Sequence, residues 1–488
     1  MKFDFGMGVI ESPFTFEKIS KMELTAKVND HAYLSICGLL EHKDALNTVL
    51  RNHAESLVKV VLLSEHRFFV GIPLNIDVEE QNGVFLVRII CVSTSFLLDV
   101  VPHSHSYQNV KHNYSEILNK AYEQEKRASV IADIKADIPI EKPIFQYNET
   151  IWKFSLRIAQ KLNTYIIPEY RSEEPVCLFG KTQLQTVNWT EIEYEMGYNR
   201  NNGYFFQCKT QKDYMLGDEI EFNGRRVMIV KKHSILDRGE FINQYMFGNQ
   251  EDYVADISSP LTPGLRLMGT VVATEDEKVK LHLDIDESQD KDKAYWFEYV
   301  PQSGNVMYCM PQIGTKAMLR FCSTLDNDVV VEECKRENGK KCPEMKDYNN
   351  RCFTSEFRKR MNMFPQIMSW EDDKNQVLLS DSSGISIKGK SKFRIATQGD
   401  LLIRANRKCK IENPRHIYIT KPNTHSVIDF SGREINIDSI NTSMTTKEKT
   451  DNSKPYYSSA IIPAVTIDRT LATKALGFKP KRTGKGTK

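Results

Sequence analysis

VLLSDSSG (377–384), ISIKGKSK (385–392), FRIATQGD (393–400), LLIRANRK (401–408), CKIENPRH (409–416) and the start of a sixth unit, IYI (417–419), follow one another without a gap. The first position of these units is Val377, Ile385, Phe393, Leu401, Cys409 and Ile417, and the third is Leu379, Ile387, Ile395, Ile403, Ile411 and Ile419. In a chain that is 40% hydrophobic, twelve apolar residues in twelve slots do not arise from composition. Alternate residues of a strand face the same side, so each octad reads as one short strand with two inward side chains and a polar turn. Two inward residues cannot build a core. Such strands must stack on one another or wind with other copies around a common axis, where the paired aliphatics meet. Both arrangements need the same inward pair, so the period alone leaves them open. Lys388, Lys390, Lys392 and Arg394 lie on the outer face and keep the shaft solvated. After Ile417 the register slips by two; Val427, Ile435 and Ile437 resume it, with Asp429 as the exception.

Working upstream, residues 264–345 read as a small all-β barrel. GLRLMGTVVATEDEKVKLHLDID (264–286) and YWFEYVPQSGNVMYCMPQIGTKAMLRFCSTLDNDVVVEEC (295–334) supply about five strands, separated by an acidic solvated loop. A neck, 346–376, follows, in which SEFRKRMNMF (355–364) is expected to be a short helix. Before the barrel, 253–263 concentrates Ser, Pro and Gly and reads as a linker. Residues 1–252 mix strands and helices. Residues 57–95 hold three β-rich runs broken at Gln81-Asn82-Gly83, and 215–236 reads as a hairpin around Asn223-Gly224. Helices are expected within 113–128 and within 147–169, the second capped by Asn148 and stopped at Pro168. The repeat region is bounded at 377–440, and 441–488 reads as a polar linker with a basic tail. The fold class is therefore mainly β with some α.

The charge balance of 66 basic against 64 acidic residues, a net +2, excludes a global polyanion-binding character. No window approaches the ~20 apolar residues of a membrane span, and the N-terminus carries no signal-peptide core. Cysteines are scattered singly; the spacings of Cys334, Cys342 and Cys352 match no zinc pattern. There is no HExxH, GxSxG or phosphate-cradling loop. His103 and His105 lack a third ligand and read as an exposed loop, and Asp326 and Asp328 flank Asn327 as turn residues. Tyr295, Trp296, Phe297 and Tyr299 lie beside Glu298 and the acidic loop, which disfavours nucleic acid and favours packing. No catalytic, cofactor-binding or metal residue is assigned. The twelve octad residues are the candidate functional set. The competing readings are a nucleic-acid- or glycan-binding small barrel, and a hydrolase with an unrecognised site.

In this order the segments resemble the VgrG family and the fused hub and spike of contractile phage tails. FFVGIPLNIDVEE (68–80) resembles the glycine-bearing strand of the family's first hub barrel, and STSFLLDVVPHSHSYQN (93–109) with YSEILNKAY (114–122) resembles its leucine-pair and aromatic-Gln-Asn run before a helix. YNETIWKFSLRIAQKLNTYIIPE (147–169) resembles its second helix, and PQIGTKAMLRF (311–321) its oligonucleotide/oligosaccharide-binding (OB) barrel. The resemblance implies two hub barrels with helices, an OB-fold barrel and a trimeric β-helix spike. It implies a homotrimer, made in the bacterial cytoplasm and placed in a contractile particle acting at or beyond the envelope. The partners it implies are the inner tube protein, baseplate proteins, and a PAAR-like tip protein or effector cargo. No cofactor is implied beyond a metal ion within the spike or its tip partner. The chain departs from the T-even phage protein in having no lysozyme-like insertion, and from the phage octad in holding Thr397, Ala405 and Asn413 where glycine would follow Gly389.

Overall fold

A computed structural model describes residues 8–12, 16–40, 57–62, 67–133, 136–180, 186–187, 193–200, 203–222, 225–237, 240–301, 309–335, 346–420, 426–431 and 434–438. The expected linker and tail at 441–488 lie outside these residues, as do Cys342 and the Asn223-Gly224 turn. The chain divides into two compact units, 1–346 and 347–488.

The first unit is built on one twelve-stranded sheet. Its main path runs Gly8–Glu11, Val58–Leu62, Arg67–Gln81, Val84–Ser93, Tyr33–Leu40, Phe16–Lys27, Arg225–Asp237, Glu240–Gly248, Gly203–Thr210 and Tyr194–Asn199. The two expected hub lobes thus share a sheet. Lys21–Lys27 pairs antiparallel with Lys231–Asp237, and one apolar cluster, with Leu24, Ile36, Phe68 and Ile89 on one side of the join and Met228, Tyr245 and Phe247 on the other, fills both. Sequence periodicity locates strands but carries no information on such a distant partner.

Local chemistry decides the turns. Arg67–Gln81 and Val84–Ser93 meet across Asn82 (φ 52) and Gly83 (φ 84), the left-handed pair that a two-residue hairpin requires. Gly71 is glycine for another reason. A Cβ there would lie 2.3 Å from the Val92 carbonyl oxygen and 2.5 Å from the Phe69 ring.

The helix Tyr114–Tyr122 opens on a capping box in which Asn113 and Glu116 satisfy each other's backbone N–H groups. The helix Ile151–Lys161 is capped by Thr150, whose hydroxyl accepts from the Lys153 N–H, and not by Asn148, which sits at φ 45. It ends well before Pro168, because Asn163 turns left-handed (φ 49) and Ile166–Pro168 is a strand. Both helices pack with Leu98, Tyr107, Ile144 and Phe179 in a second core.

Five strands over 266–335 form the third core, in the order Trp296–Glu298, Lys278–Leu283, Arg266–Glu275, Lys316–Phe321, Val329–Lys335. Strand pairing leaves this sheet open. Its edges meet at one place, where a parallel bridge couples Tyr299 to Val331 and the Val300 N–H donates to the Val331 carbonyl (2.7 Å). The segment expected as a linker is tied down: Tyr253, Ala255 and Leu261 are buried, and the Ala255 N–H donates to the Thr164 carbonyl.

In the second unit, Arg351–Thr354, Arg360–Phe364, Ile367–Glu371, Asn375–Ser380 and Gly384–Gly389 form an antiparallel meander. The expected helix at 355–364 is a turn and a strand, since Met361 and Met363 alternate with the polar Arg360 and Asn362 at the period of two. A separate meander holds His416–Thr420, Val427–Ser431 and Glu434–Asp438. Residues 390–415 contain no strand.

Candidate assembly surface

The twelve octad residues fall along the second unit and do not gather in one chain. Val377 and Leu379 lie on one strand and Ile385 and Ile387 on the next, paired Val377 to Ile387 and Leu379 to Ile385. Phe393, Ile395, Leu401, Ile403, Cys409 and Ile411 lie in the strandless stretch, and Ile417 and Ile419 on His416–Thr420. None belongs to any of the three cores. Ile385 is 75% exposed, Ile411 70% and Ile403 67%, and Phe393, Ile395, Leu401 and Ile419 are all more than half exposed. Large apolar side chains left exposed in such number mark a candidate partner surface. The first two octads pair with each other, while Phe393, Ile395, Leu401, Ile403, Cys409 and Ile411 lie on no strand of their own chain.

Within the first unit, buried charge connects the layers. Arg157, on the helix Ile151–Lys161, donates from Nη1 to Asp326 Oδ2 (2.8 Å), from Nη2 to Glu149 Oε2 (2.9 Å) and from Nη2 to the Phe145 carbonyl (2.5 Å). Asp326 Oδ1 also accepts from the Phe145 N–H (2.9 Å). All three charged side chains are buried. Burial alone would lower the Arg157 pKa, but Asp326 and Glu149 hold it above the ordinary value; burial raises that of Glu149 against the pull of Arg157. Asp326, expected as a turn residue, is the anchor of the five-stranded sheet on the helix.

A second tie uses Asp286, which accepts from the Ser106 N–H (2.7 Å), the Ser106 hydroxyl and His105 Nδ1 (2.9 Å). His103 and His105 therefore sit on a strand, Pro102–Tyr107, and not in a free loop. Within the twelve-stranded sheet Lys232 is fully buried, faces the Phe68 ring at 4.9 Å and donates to Asp213 and the Tyr214 carbonyl. Burial pushes its pKa down to about 8, with Asp213 opposing.

These ties escape sequence reading because their partners lie up to 181 positions apart. One local sign existed: Arg157 lies three residues beyond the buried Phe154, on the helix face that meets the core. The aromatic run at 295–299 serves packing. Phe297 is buried against Tyr295 and Phe145, and Lys280 covers the Trp296 ring at 5.0 Å. Among the described residues no group of three or more His, Cys, Asp or Glu could hold a metal ion, and no helix is long and apolar enough to cross a membrane.

No family model matches the chain, and no curated protein matches it by sequence. Among solved structures, the Francisella PdpA-VgrG complex in its half-lidded state matches with a TM-score of 0.51 at 9% identity, over 79% of this chain and 88% of that one. An E. coli protein, described as a component of the type VI secretion system with structural similarity to T4 bacteriophage tail proteins, matches with a TM-score of 0.49 at 12% identity, over 67% of this chain and 100% of that one. The likeness to the Francisella complex shows that this chain has a VgrG-like fold.

Proposed function

We propose that three copies of this chain assemble into the hub and puncturing spike at the tip of the inner tube of a contractile injection system. The observation that carries the reading is the octad stripe, left uncovered by its own chain. Burying one large aliphatic side chain is worth about 1.5–3 kcal/mol, so each octad residue that an assembly covers favours the assembled state. A shaft closed in this way cannot open locally without breaking the ladders of all three chains, which suits it to load along its axis.

In this role the first unit contacts the inner tube protein and the baseplate proteins. The spike carries a PAAR-like tip protein or effector cargo to the target cell envelope. The chain acts by assembly, with no catalytic step, no cofactor and no specific nucleic acid, in a particle built in the bacterial cytoplasm. The test is the mass of the untagged protein in solution by light scattering. A trimer is expected; a stable monomer at micromolar concentration refutes the reading.

A further inference from the structure

The meander 351–389 has two unlike faces. Residues directly opposite in antiparallel strands point to the same side. The register therefore aligns Phe353, Met361, Trp370, Val377 and Ile387 in one row across all five strands. Two residues along each strand, Met363, Met368, Leu379 and Ile385 form a second row on the same face. Nine apolar side chains thus tile one side of the sheet. The tenth position, Arg351, turns its guanidinium back to the Tyr348 and Asn350 carbonyls.

The opposite face carries a bonded polar patch beside Cys352, Phe364, Ile367 and Leu378. Asn362 donates to Ser369 Oγ (3.0 Å) and to Glu371 Oε1 (2.9 Å), and Gln376 donates to Glu371 Oε2 (3.1 Å). Asn362 and Ser369 are buried while Phe353, Trp370, Ile385 and Ile387 are exposed, an inversion of the usual order. A hollow of about 250 Å³ opens at the end of the meander, where Met368, Leu379 and Ile385 of the apolar face meet Gln366, Ser380 and Asp381.

From this we infer that the apolar face of 351–389 is an interface between copies of this chain, so that the subunit contact begins at Phe353 and includes the whole neck. The inference rests on the trimer proposed above and extends it to residues outside the octads. Three features select a second copy as the occupant. The face contains the first four octad residues, Val377, Leu379, Ile385 and Ile387, so it is continuous with the stripe that brings the copies together. Copies aligned by that stripe around one axis present this same face at the same level, as closed symmetry requires. And nine of its ten positions are apolar, with the one charge, Arg351, confined to the outermost strand, so identical copies can meet on the remainder without like-charge repulsion.

The sequence held a trace of this. Phe353 and Met361 lie three and two octads before Val377, and Met363 two octads before Leu379, but the register shifts at Met368 and Trp370, which hides the continuation.

The test is site-specific photocrosslinking in the full-length chain. A benzophenone amino acid replaces Trp370 or, separately, Met363; both sites are exposed and tolerate the ring. Gln376, on the polar face, is the control for direction, and Ile403 reports on the octad stripe itself. Covalent dimers and trimers of the chain are expected from positions 370, 363 and 403, and far fewer from 376. A crosslink at 403 without one at 370 or 363 overturns the inference and leaves the trimer standing. So does equal crosslinking from 376, or capture of a different polypeptide at 370 in assembled particles. Absence of crosslinks at all four positions, with a monomer mass, overturns both.

Discussion

Asp326→Ala removes a carboxylate that two donors use at once, the Arg157 guanidinium (2.8 Å) and the Phe145 N–H (2.9 Å). Phe145 is fully buried, so its N–H is left without a partner or water, and Arg157 keeps only Glu149 and one carbonyl. Breaking a buried ion pair by removing one partner costs about 3–5 kcal/mol, and the orphaned amide lies within that sum. Asp326→Asn keeps an oxygen for Phe145 and loses the charge facing Arg157, so about 1.5–3 kcal/mol is expected, the worth of one charge-assisted bond. Replacing all three charges, as Glu149→Leu, Arg157→Met and Asp326→Leu together, leaves nothing unpaired and should recover most of the single-variant loss. Urea unfolding gives the totals, and hydrogen exchange locates the effect: protection should fall in 266–335 and in the helix Ile151–Lys161 before the rest of the first unit. The account fails if Asp326→Ala costs less than about 1 kcal/mol, or if the triple replacement is the worst of the three.

Further outcomes follow from features already described. If the proposed trimer holds, Ile395→Asp or Ile403→Asp places a carboxylate at its axis in every copy, at several kcal/mol each, and should leave a folded first unit that sediments as a monomer. Gly71→Ala forces a Cβ against the Val92 carbonyl and should cost about 1–3 kcal/mol, read as a lowered melting temperature, whereas Gly399→Ala, with nothing within 4 Å, should change little. Burial pushes the Cys91 and Cys177 thiols up to about 12 and Cys208 to about 11, and raises the Tyr122, Tyr170 and Tyr245 hydroxyls; their stabilisation is complete below the unfolded values and is lost as pH rises through 9 to 12. Lys232 acts oppositely: its folded pKa of about 8 lies below the ordinary 10.5, so the unfolded chain binds more protons between them and stability rises there, and Lys232→Met should remove that rise from the melting profile.

What the sequence made legible was local. Asn82-Gly83 dictated a hairpin and the apolar spacing of Ile151, Phe154 and Ile158 a helix, because each signal lies within a few residues of the element it builds; of the octads only those at 377, 385 and 417 lie on strands of the single chain. The cap was misplaced by two residues because Asn148 and Thr150 both have capping side chains, and only the backbone conformation distinguishes them. Methionine and the arginines around Met361 and Met363 favour helix by intrinsic propensity, and the cross-strand partners Trp370 and Met368 override it. The partners of Asp326 and Asp286 were not legible at all. A lone acid in a turn looks the same whether its far side meets water or Arg157.

The pairing of Lys21–Lys27 with Lys231–Asp237 also has a consequence for how the chain is made. Synthesis proceeds at about 5–20 residues per second, so roughly 200 residues of delay leave the early strand Phe16–Lys27 waiting some 10–40 s for its neighbour. During that interval the half-built sheet offers an open edge with Met22, Leu24 and Ala26 along one side, a template for pairing between nascent chains on the same message. If copies of the chain assemble as proposed, the ribosome becomes the first place where the wrong meeting must be prevented. Holding the N-terminal strands apart until residue 237 emerges is then a task for chaperones rather than for the fold.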